Sequence, residues 1–297
     1  MKTYVGYVER PADDGNDEMR RRRRIGEPAV ACGPGIGGLG WPTATPGSPM
    51  ADLREVHHTS LGRHPWETAR LRFFLGVLAS AGLQTSAGRV LDIGSGDAFF
   101  ARSLLPALSP QAKVVCVDTG YEDAGGQDAD LLPNLQLCRD RPPGDFDLVL
   151  LLDVLEHIGQ DEAFLRDLVA NALTADAHVL VSVPAWPSLF TSHDKALHHH
   201  RRYSPQQARQ LLTASGLRIL RSGGLFHGLL LPRLWARLAE ALRPPAERQP
   251  DSLAWHHGRL VTNAVDAVLA TDNALSRLGA RVGAEIPGLS WWALCSR

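Results

Sequence analysis

The pattern of apolar positions begins with a helix and then alternates between short strands and helices. Between Trp66 and Leu83, apolar residues recur every three or four positions, which predicts a helix before the first strand. Seven short apolar segments then have the character of strands. They are Arg89 to Ile93, Lys113 to Asp118, Leu135 to Cys138, Phe146 to Leu152, His178 to Val183, Leu217 to Arg221 and Ser290 to Cys295. Because amphipathic helical patterns separate most of them, we expect an α/β fold with a doubly wound, mostly parallel seven-stranded sheet.

Two segments fall outside this alternation. Residues 1–49 combine acidic residues, the run Arg20 to Arg24 and many glycines and prolines, so they bury too little apolar surface to offset the entropy of ordering. We expect a disordered or low-complexity leader there and a folded domain over residues 50–297. Residues from about 224 to 286 are too many for a simple connection and have helical patterns, which predicts a helical cap before the last strand.

Composition and charge narrow the choice of partners and compartment. The formal net charge of −1 provides no general attraction to nucleic acid or to an anionic membrane, so no nucleic-acid partner is expected. Cys32, Cys116, Cys138 and Cys295 lack CxxC spacing, which predicts free thiols rather than a zinc site or a disulfide framework. No apolar run reaches the roughly 18 residues of a membrane span, and no secretory signal is visible. We therefore expect a cytoplasmic protein.

The segment from Val90 to Gly96, of sequence VLDIGSG, carries the strongest chemical signal. It reads as a buried strand, a glycine turn with Ser95 at its centre, and the opening of a helix. Gly94 and Gly96 let backbone approach a ligand closely, and the helix N-terminus offers free N–H groups to a carboxylate. Asp92 adds a negative charge suited to a cationic group. The segment predicts a cofactor-binding turn.

A second carboxylate follows at the end of the next strand. Asp118, followed by Thr119, stands 22 positions after Gly96, and its two oxygens can accept hydrogen bonds from both hydroxyls of a ribose. An Asp at a strand end is commonly a turn or cap residue, and the glycine turn alone is a weak signal. The two features together favour a ligand that contains adenosine.

Val90 to Gly96 resembles the first motif of class I S-adenosylmethionine-dependent methyltransferases, and the resemblance implies S-adenosyl-L-methionine as the cofactor. Dinucleotide dehydrogenases have a third glycine where this chain has Phe99, which would crowd a pyrophosphate but not a methionine moiety. A formal GxGxxG match at Gly33, Gly35 and Gly38 is interrupted by Pro34, and we do not expect it to bind a nucleotide.

The segment from Phe146 to Ile158, FDLVLLLDVLEHI, is similar to the fourth-strand motif of small-molecule methyltransferases related to ubiquinone biosynthesis. The resemblance implies that Asp153 and Val154 lie beside the methionine end of the cofactor, with Glu156 and His157 just beyond. His157 is therefore a candidate catalytic residue. Helix capping or simple packing of the histidine is the alternative interpretation.

The loop after the fifth strand is rich in histidine and arginine. It resembles a subgroup of these enzymes that pairs a His-Asp with a downstream His-x-Arg-Tyr-like element, and the resemblance extends over residues 64 to about 222. His193 and His200 are further candidate catalytic residues. The predicted substrate-binding residues are His64, Trp66, Trp186, Asp194, Arg202 and Tyr203. A purely structural loop is the alternative. A zinc site of His193, Asp194 and His200 fits no recognised ligand spacing, so no metal is expected.

An apolar stripe marks the first half of the predicted cap. It consists of Leu231, Leu234, Trp235, Leu238 and Leu242. Such a stripe is usually core, which favours a cap that packs on the domain. The neighbouring Arg233, Arg237 and Arg243 also permit peripheral membrane contact or a lipid substrate, as the less favoured interpretation.

The function expected from these motifs is transfer of a methyl group from S-adenosylmethionine to a small-molecule acceptor, with oxygen favoured over nitrogen or carbon. Secondary metabolites, lipid-linked intermediates and sugars all suit such a pocket. The alternatives are a non-catalytic module that binds the cofactor and a NAD-dependent oxidoreductase. The oxidoreductase is disfavoured because Tyr203 is followed by Gln207 where a catalytic Tyr-x-x-x-Lys pair needs lysine.

Overall fold

The structure is a computed structural model that describes residues 63–121, 132–242 and 258–297. The predicted leader at residues 1–49, with its arginine run, lies outside these ranges, as do Cys32 and Arg243. The proposed limits of leader, domain and cap therefore stay predictions.

The sheet has the order β3-β2-β1-β4-β5-β7-β6, with β1 to β5 parallel and β7 antiparallel to both of its neighbours. The strands are β1 (Arg89–Ile93), β2 (Lys113–Val117), β3 (Leu135–Cys138), β4 (Phe146–Leu152), β5 (Leu173–Pro184), β6 (Arg218–Leu225) and β7 (Ser290–Ser296). The order reverses between β1 and β4, where ligands bind at the carboxyl ends of strands in open α/β sheets. The predicted seven-stranded, mostly parallel α/β fold is confirmed.

Helices connect the strands and cover the sheet. The described helices are α1 (Pro65–Ser80), α2 (Leu83–Ser86), α3 (Phe99–Leu104), α4 (Asp161–Asn171), α5 (Ser192–Ala196), α6 (Pro205–Ala214), α7 (Leu230–Leu242) and α8 (Arg259–Arg281). Short 3₁₀ turns occupy Leu105–Ala107, Leu155–His157, Pro187–Leu189 and His227–Leu229. The helix predicted before the first strand is therefore present as α1, followed by the single turn α2.

The central strands are apolar on both sides because both faces of the sheet are covered. Side chains alternate between the faces along a strand, so Val149 and Leu151 of β4 pack in one core with Leu165 of α4. Leu148 and Leu150 point to the opposite core, which contains the fully buried Phe73 and Phe74 of α1. This double burial explains the uninterrupted apolar run of β4 and places α1 across the sheet near the glycine turn.

β5 and β6 are longer than the sequence predicts by several residues, and β7 by one. β5 begins at Leu173 rather than His178, and β6 continues to Leu225, a position assigned to a helical pattern from sequence. The added part of β6 contains a pair of glycines, Gly223 and Gly224. A Cβ at Gly224 would lie 2.2 Å from the Ile286 carbonyl oxygen, so only glycine lets the segment before β7 pass over the strand.

The α7 stripe departs from the sequence expectation. Leu231, Trp235 and Leu242 are 75%, 74% and 84% exposed, so the expectation of a buried stripe is wrong for the described residues. Helix α8 has more extensive contacts with the rest of the domain than α7 does. It packs along α1, where Leu269 is buried and the Asn273 side-chain amide donates to the Ala69 carbonyl oxygen at 3.0 Å.

The described part of the chain also tests the expectations on membrane spans and thiols. None of its helices combines the length and apolar character needed to cross a bilayer. Cys116 and Cys295 are buried free thiols, as expected. Cys138 is disulfide-bonded, so the expectation of a free thiol is wrong at that position.

Candidate active site

The glycine turn after β1 lies at the reversal point of the sheet. Gly94 and Gly96 have φ angles of 69° and 54°, in the left-handed region where glycine is unstrained. The Gly94 N–H donates to the Val117 carbonyl oxygen at 2.8 Å, which ties the turn to β2. A Cβ at position 94 would lie 2.7 Å from Val154 Cγ2. The turn therefore needs glycine at position 94 and lies directly against the end of β4.

Asp118 stands one residue after β2 and braces the same turn. One carboxylate oxygen accepts from the Gly96 N–H at 2.9 Å, and the other accepts from the Gly120 N–H at 2.8 Å. Each carboxylate oxygen has a second lone pair, so these bonds leave capacity for two hydroxyl donors. Ser95 completes the wall through a 2.9 Å hydrogen bond between its hydroxyl and that of Tyr121. Thr119 follows Asp118 at the strand end.

Asp92 is buried beneath the turn with its carboxyl group incompletely satisfied. The residue is 3% exposed, and its Oδ2 atom has no hydrogen-bond partner among the described residues. Burial raises the pKa of Asp92 from 3.8 to about 7, while the charge of Arg70 opposes this rise. An orphaned buried carboxyl oxygen of this kind is a natural place for a donor or cation supplied by a ligand.

Asp153 directly follows β4 and is held from two sides. Its φ of 59° is unusual for a residue other than glycine and indicates that the surroundings impose the conformation. Oδ1 accepts from the Ser182 hydroxyl at 2.8 Å, and Oδ2 pairs with the Arg70 guanidinium. Arg70 also lies 4.7 Å above the Trp66 ring. The pairing brings α1 over the strand ends. Sequence reasoning did not single out Arg70, although it lies within the upstream segment that carries the family resemblance.

The predicted cofactor residues therefore come together. β1, β2 and β4 are adjacent, and their carboxyl ends bring Asp92, Asp118 and Asp153 to one edge of the sheet. Val154 fills the space next to Gly94. The arrangement has a glycine cradle that a Cβ would fill, an orphaned buried carboxyl oxygen and two further carboxylates. These features fit a ligand with a cationic centre and hydroxyl groups.

His157 lies in the 3₁₀ turn after β4 and contacts a histidine that sequence reasoning passed over. Its ring meets that of His199 edge to face, with centroids 4.7 Å apart and an angle of 80° between the planes. Glu156, beside it, is fully buried. The Glu156 carbonyl oxygen accepts from the His200 N–H at 2.8 Å, which joins this turn to the histidine-rich loop.

Asp194 is the centre of a buried ionic cluster. Its carboxylate accepts from the Thr191 N–H at 2.8 Å, from Arg202 Nε at 2.7 Å and from Arg233 Nη2 of α7, and its Oδ1 lies 3.2 Å from His199 Nδ1. Hydrogen bonds from His199 and Arg202 and the Arg202 charge hold the pKa of Asp194 well below its usual range, although burial opposes them. The residue is fully buried, so its contacts favour a structural role over direct substrate contact.

The other predicted substrate residues are buried or half-buried and make contacts within the protein. Arg202 also donates to the Ala185 carbonyl oxygen at 3.1 Å, and the Tyr203 hydroxyl donates to Asp161 at 2.7 Å. Trp186 donates from its indole N–H to the Gly288 carbonyl oxygen at 2.8 Å. His64 caps α1 by accepting the Trp66 N–H at its Nδ1 atom. Trp66 contacts Arg70, which in turn pairs with the predicted cofactor residue Asp153.

The three candidate catalytic histidines do not share one environment. His157 is half-buried at the end of β4, whereas His193 and His200 are exposed on α5 and in the following loop. The structure places the ring of His157 against that of His199, which is not one of the three candidates. His199 was visible in the sequence only as one of three consecutive histidines, and the sequence has no signal for which of them faces inward.

Comparison with known proteins identifies the class. The family of the methyltransferase domain matches residues 64–222, which is more than half of the chain, so the chain belongs to that family. The range agrees with the extent of the resemblance noted in the sequence. The prediction of an S-adenosylmethionine-dependent methyltransferase is confirmed at the level of family and fold.

Among curated proteins, no significant match is found. Solved structures with a similar fold include the cyclase SpnF, with 15% identity, coverage of 80% of this chain and 83% of that chain, and a TM-score of 0.46. A putative sarcosine dimethylglycine methyltransferase from Galdieria sulphuraria has 15% identity, coverage of 76% and 84%, and a TM-score of 0.46. A SAM-dependent methyltransferase from Archaeoglobus fulgidus has 14% identity, coverage of 78% and 97%, and a TM-score of 0.43.

Proposed function

We propose that the chain transfers the methyl group of S-adenosylmethionine to a hydroxyl oxygen of a small-molecule acceptor. The observation that carries the proposal is the convergence of the Gly94–Gly96 turn with three aspartates at the carboxyl ends of β1, β2 and β4. This combination suits a ligand that has an amino-acid tail at one end and a ribose at the other.

Each part of the site has a distinct role in this proposal. Asp118, already braced by two backbone N–H groups, accepts hydrogen bonds from the ribose hydroxyls. Asp92 and Asp153 provide negative charge for the amino-acid end, and Arg70 offers a positive charge to its carboxylate. The Gly94–Gly96 backbone allows close approach. When bound, the cofactor supplies a methyl group on a positively charged sulfur, which is a good leaving group.

The protein contributes to the reaction mainly by positioning. Holding donor and acceptor in line can provide effective molarities of roughly 10⁵ M or more. An acceptor hydroxyl also has to lose its proton, and a positioned base contributes about 10² to 10⁴ in rate. His157 is the best placed of the three predicted bases because it is half-buried in the 3₁₀ turn after β4, whereas His193 and His200 are exposed.

Acceptor screening with isotope-labelled cofactor is the experiment that tests the reaction. Phenols, sugars and lipid-linked compounds form the panel, and the labelled product is analysed for the atom that carries the methyl group. We expect transfer to a hydroxyl-bearing compound. A label found exclusively on nitrogen or carbon would overturn the preference for oxygen. With the acceptor known, turnover of three variants shows which imidazole contributes; they are His157→Ala, His193→Ala and His200→Ala.

A non-catalytic cofactor-binding module is the alternative function. It would bind the cofactor with the same residues but would give no labelled product with any acceptor. The buried contacts of Asp194, Arg202 and Tyr203 favour neither function, because they stabilise the loop rather than form an acceptor pocket. The cytoplasmic location and the possibility of a lipid-linked acceptor belong to the same proposal.

A further inference from the structure

A cluster of metal-ligating side chains lies beside the proposed cofactor site. Glu156 and His157 belong to the 3₁₀ turn after β4, and His199 comes from the loop after α5. One candidate ligand atom of each residue lies within 4.8 Å of those of the other two. We propose that Glu156, His157 and His199 bind a divalent transition-metal ion, with Zn²⁺ as the reference case.

The spacing of the cluster is close to that of a formed site. Ligand atoms that are bonded at about 2.0–2.2 Å to one zinc ion lie about 3–4 Å from each other. A small inward movement of the three side chains therefore suffices for their ligand atoms to bind one ion. The hydrogen bond between the His200 N–H and the Glu156 carbonyl oxygen, at 2.8 Å, holds the two contributing segments together without using any of the proposed ligand atoms.

His199 has the outer partner expected of a metal ligand. Its Nδ1 atom lies 3.2 Å from Asp194 Oδ1, so a proton on Nδ1 directs the Nε2 lone pair away from the carboxylate. A histidine ligand in proteins usually donates its other ring N–H to a carboxylate or carbonyl in this way, which fixes the ring and the tautomer. Asp194 is itself fixed by Arg202 and Arg233, which makes it a rigid support.

The donor set indicates the class of ion. Two imidazoles and one carboxylate suit Zn²⁺ and the neighbouring first-row ions, whereas Mg²⁺ and Ca²⁺ prefer oxygen ligands. Three protein ligands also leave one coordination position open. The set differs from His193, Asp194 and His200, which sequence spacing disfavoured, because residues 156 and 199 meet only through the fold.

The ion would extend the proposed function, and this step rests on that function. An acceptor oxygen at the open position would have a lowered pKa, as hydroxyl groups bound to Zn²⁺ do. His157 would then act as a ligand, and the ion rather than an imidazole base would favour the ionised acceptor, whose hydroxyl proton passes to solvent water before methyl transfer.

Zn²⁺ binding to the full chain tests the site without reference to activity. Equilibrium dialysis followed by elemental analysis should show one Zn²⁺ per chain, and Mg²⁺ at the same concentration should not displace it. His157→Ala and His199→Ala should each reduce the affinity at least tenfold. Asp194→Asn should reduce it about 10- to 100-fold, the range found for outer partners of metal ligands. His198→Asn is the matched control, because this exposed neighbour is outside the cluster and should bind as the wild type does.

Three results would overturn the inference. In the first, the wild-type chain retains no Zn²⁺. In the second, the variants at His157 and His199 bind Zn²⁺ with wild-type affinity. In the third, His198→Asn loses as much Zn²⁺ affinity as those variants do. Titration of each variant with S-adenosylhomocysteine, the demethylated cofactor, separates loss of the ion site from loss of the fold. If wild type binds Zn²⁺ but not this compound, the proposed methyltransferase site fails while the metal site stands.

Discussion

Asp92 joins the buried sheet to the proposed cofactor through a carboxyl group whose protonation depends on its surroundings. Burial raises its pKa from 3.8 to about 7, so in the free protein it takes up a proton near neutral pH. A cationic ligand beside it would favour the ionised form. Cofactor binding should therefore release a proton around pH 7 and become stronger as the pH rises from 5.5 to 8.

Calorimetry in buffers of different ionisation enthalpy measures this proton release. The free energy of unfolding of the free protein should instead decrease as the pH rises. A raised carboxyl pKa contributes stability that is complete below the unfolded value near 3.8 and is lost as the pH rises through about 7. Asp92→Asn should abolish both effects and raise the melting temperature at pH 8 relative to wild type. A cofactor affinity that is flat across this pH range would contradict the role given to Asp92.

The positions of the proposed site residues were predictable from sequence where one motif specifies one position. Asp92, Gly94 and Asp118 lie where a strand end and a glycine turn require them to lie. Arg70 and His199 were not predictable in the same way. Each acquires its role from a partner more than 30 positions away, Asp153 or His157, and no local pattern encodes such a contact.

The turn between β1 and α3 is the element on which cofactor binding depends most directly. Gly94→Ala places a Cβ 2.7 Å from Val154 Cγ2 and requires a left-handed backbone at φ 69°, which costs about 1–2 kcal/mol before the clash is counted. We expect cofactor affinity to fall about tenfold or more, since 1.4 kcal/mol corresponds to a factor of ten. Titration with S-adenosylhomocysteine measures the loss.

Gly159→Ala is the matched control for the turn, because a Cβ there meets no atom within 4 Å. It should bind the cofactor as wild type does. Adding Val154→Ala to Gly94→Ala should recover part of the affinity by removing the clash but not the backbone strain. Equal affinity of wild type and Gly94→Ala would show that close packing of the turn against β4 is unimportant.

Helix α7 contacts the domain through the polar side chains Arg233 and Glu240 rather than through its apolar stripe. Arg233 donates to Asp194 and, at 2.8 Å, to the Thr191 hydroxyl, while Leu231 and Trp235 are exposed. Arg233→Ala removes these bonds but leaves Asp194 paired with Arg202. We therefore expect the free energy of unfolding to fall by about 1.5 kcal/mol, which is at the low end of the contribution of hydrogen bonds to charged groups. Chemical denaturation measures the change.

Arg237→Ala tests whether any arginine of α7 would have the same effect. It lies on the same helix but outside the Asp194 cluster, and it should change the free energy of unfolding by less than about 0.5 kcal/mol. If the two variants are equally stable, the Asp194 cluster does not anchor α7.

At the scale of the whole molecule, periodicity predicted the central sheet well and the cap poorly. The strands β1, β3 and β4 have the predicted limits because each is a short apolar run bounded by polar residues or turns. In the cap, the same apolar signal accompanies both Leu269, which is buried against the domain, and Trp235, which is 74% exposed. An amphipathic pattern predicts a helix with an apolar face but does not specify what that face contacts.

Cofactor titration by calorimetry is the most direct test of the central claim that the strand ends of β1, β2 and β4 bind S-adenosylmethionine. S-adenosylhomocysteine titrated into the full-length chain should bind at one site, and Asp118→Ala should weaken that binding at least tenfold. The same variant should lower the melting temperature of the free protein only modestly, through loss of the hydrogen bonds from the Gly96 and Gly120 N–H groups. Absence of binding heat at several temperatures for both the methylated and the demethylated compound would contradict the claim.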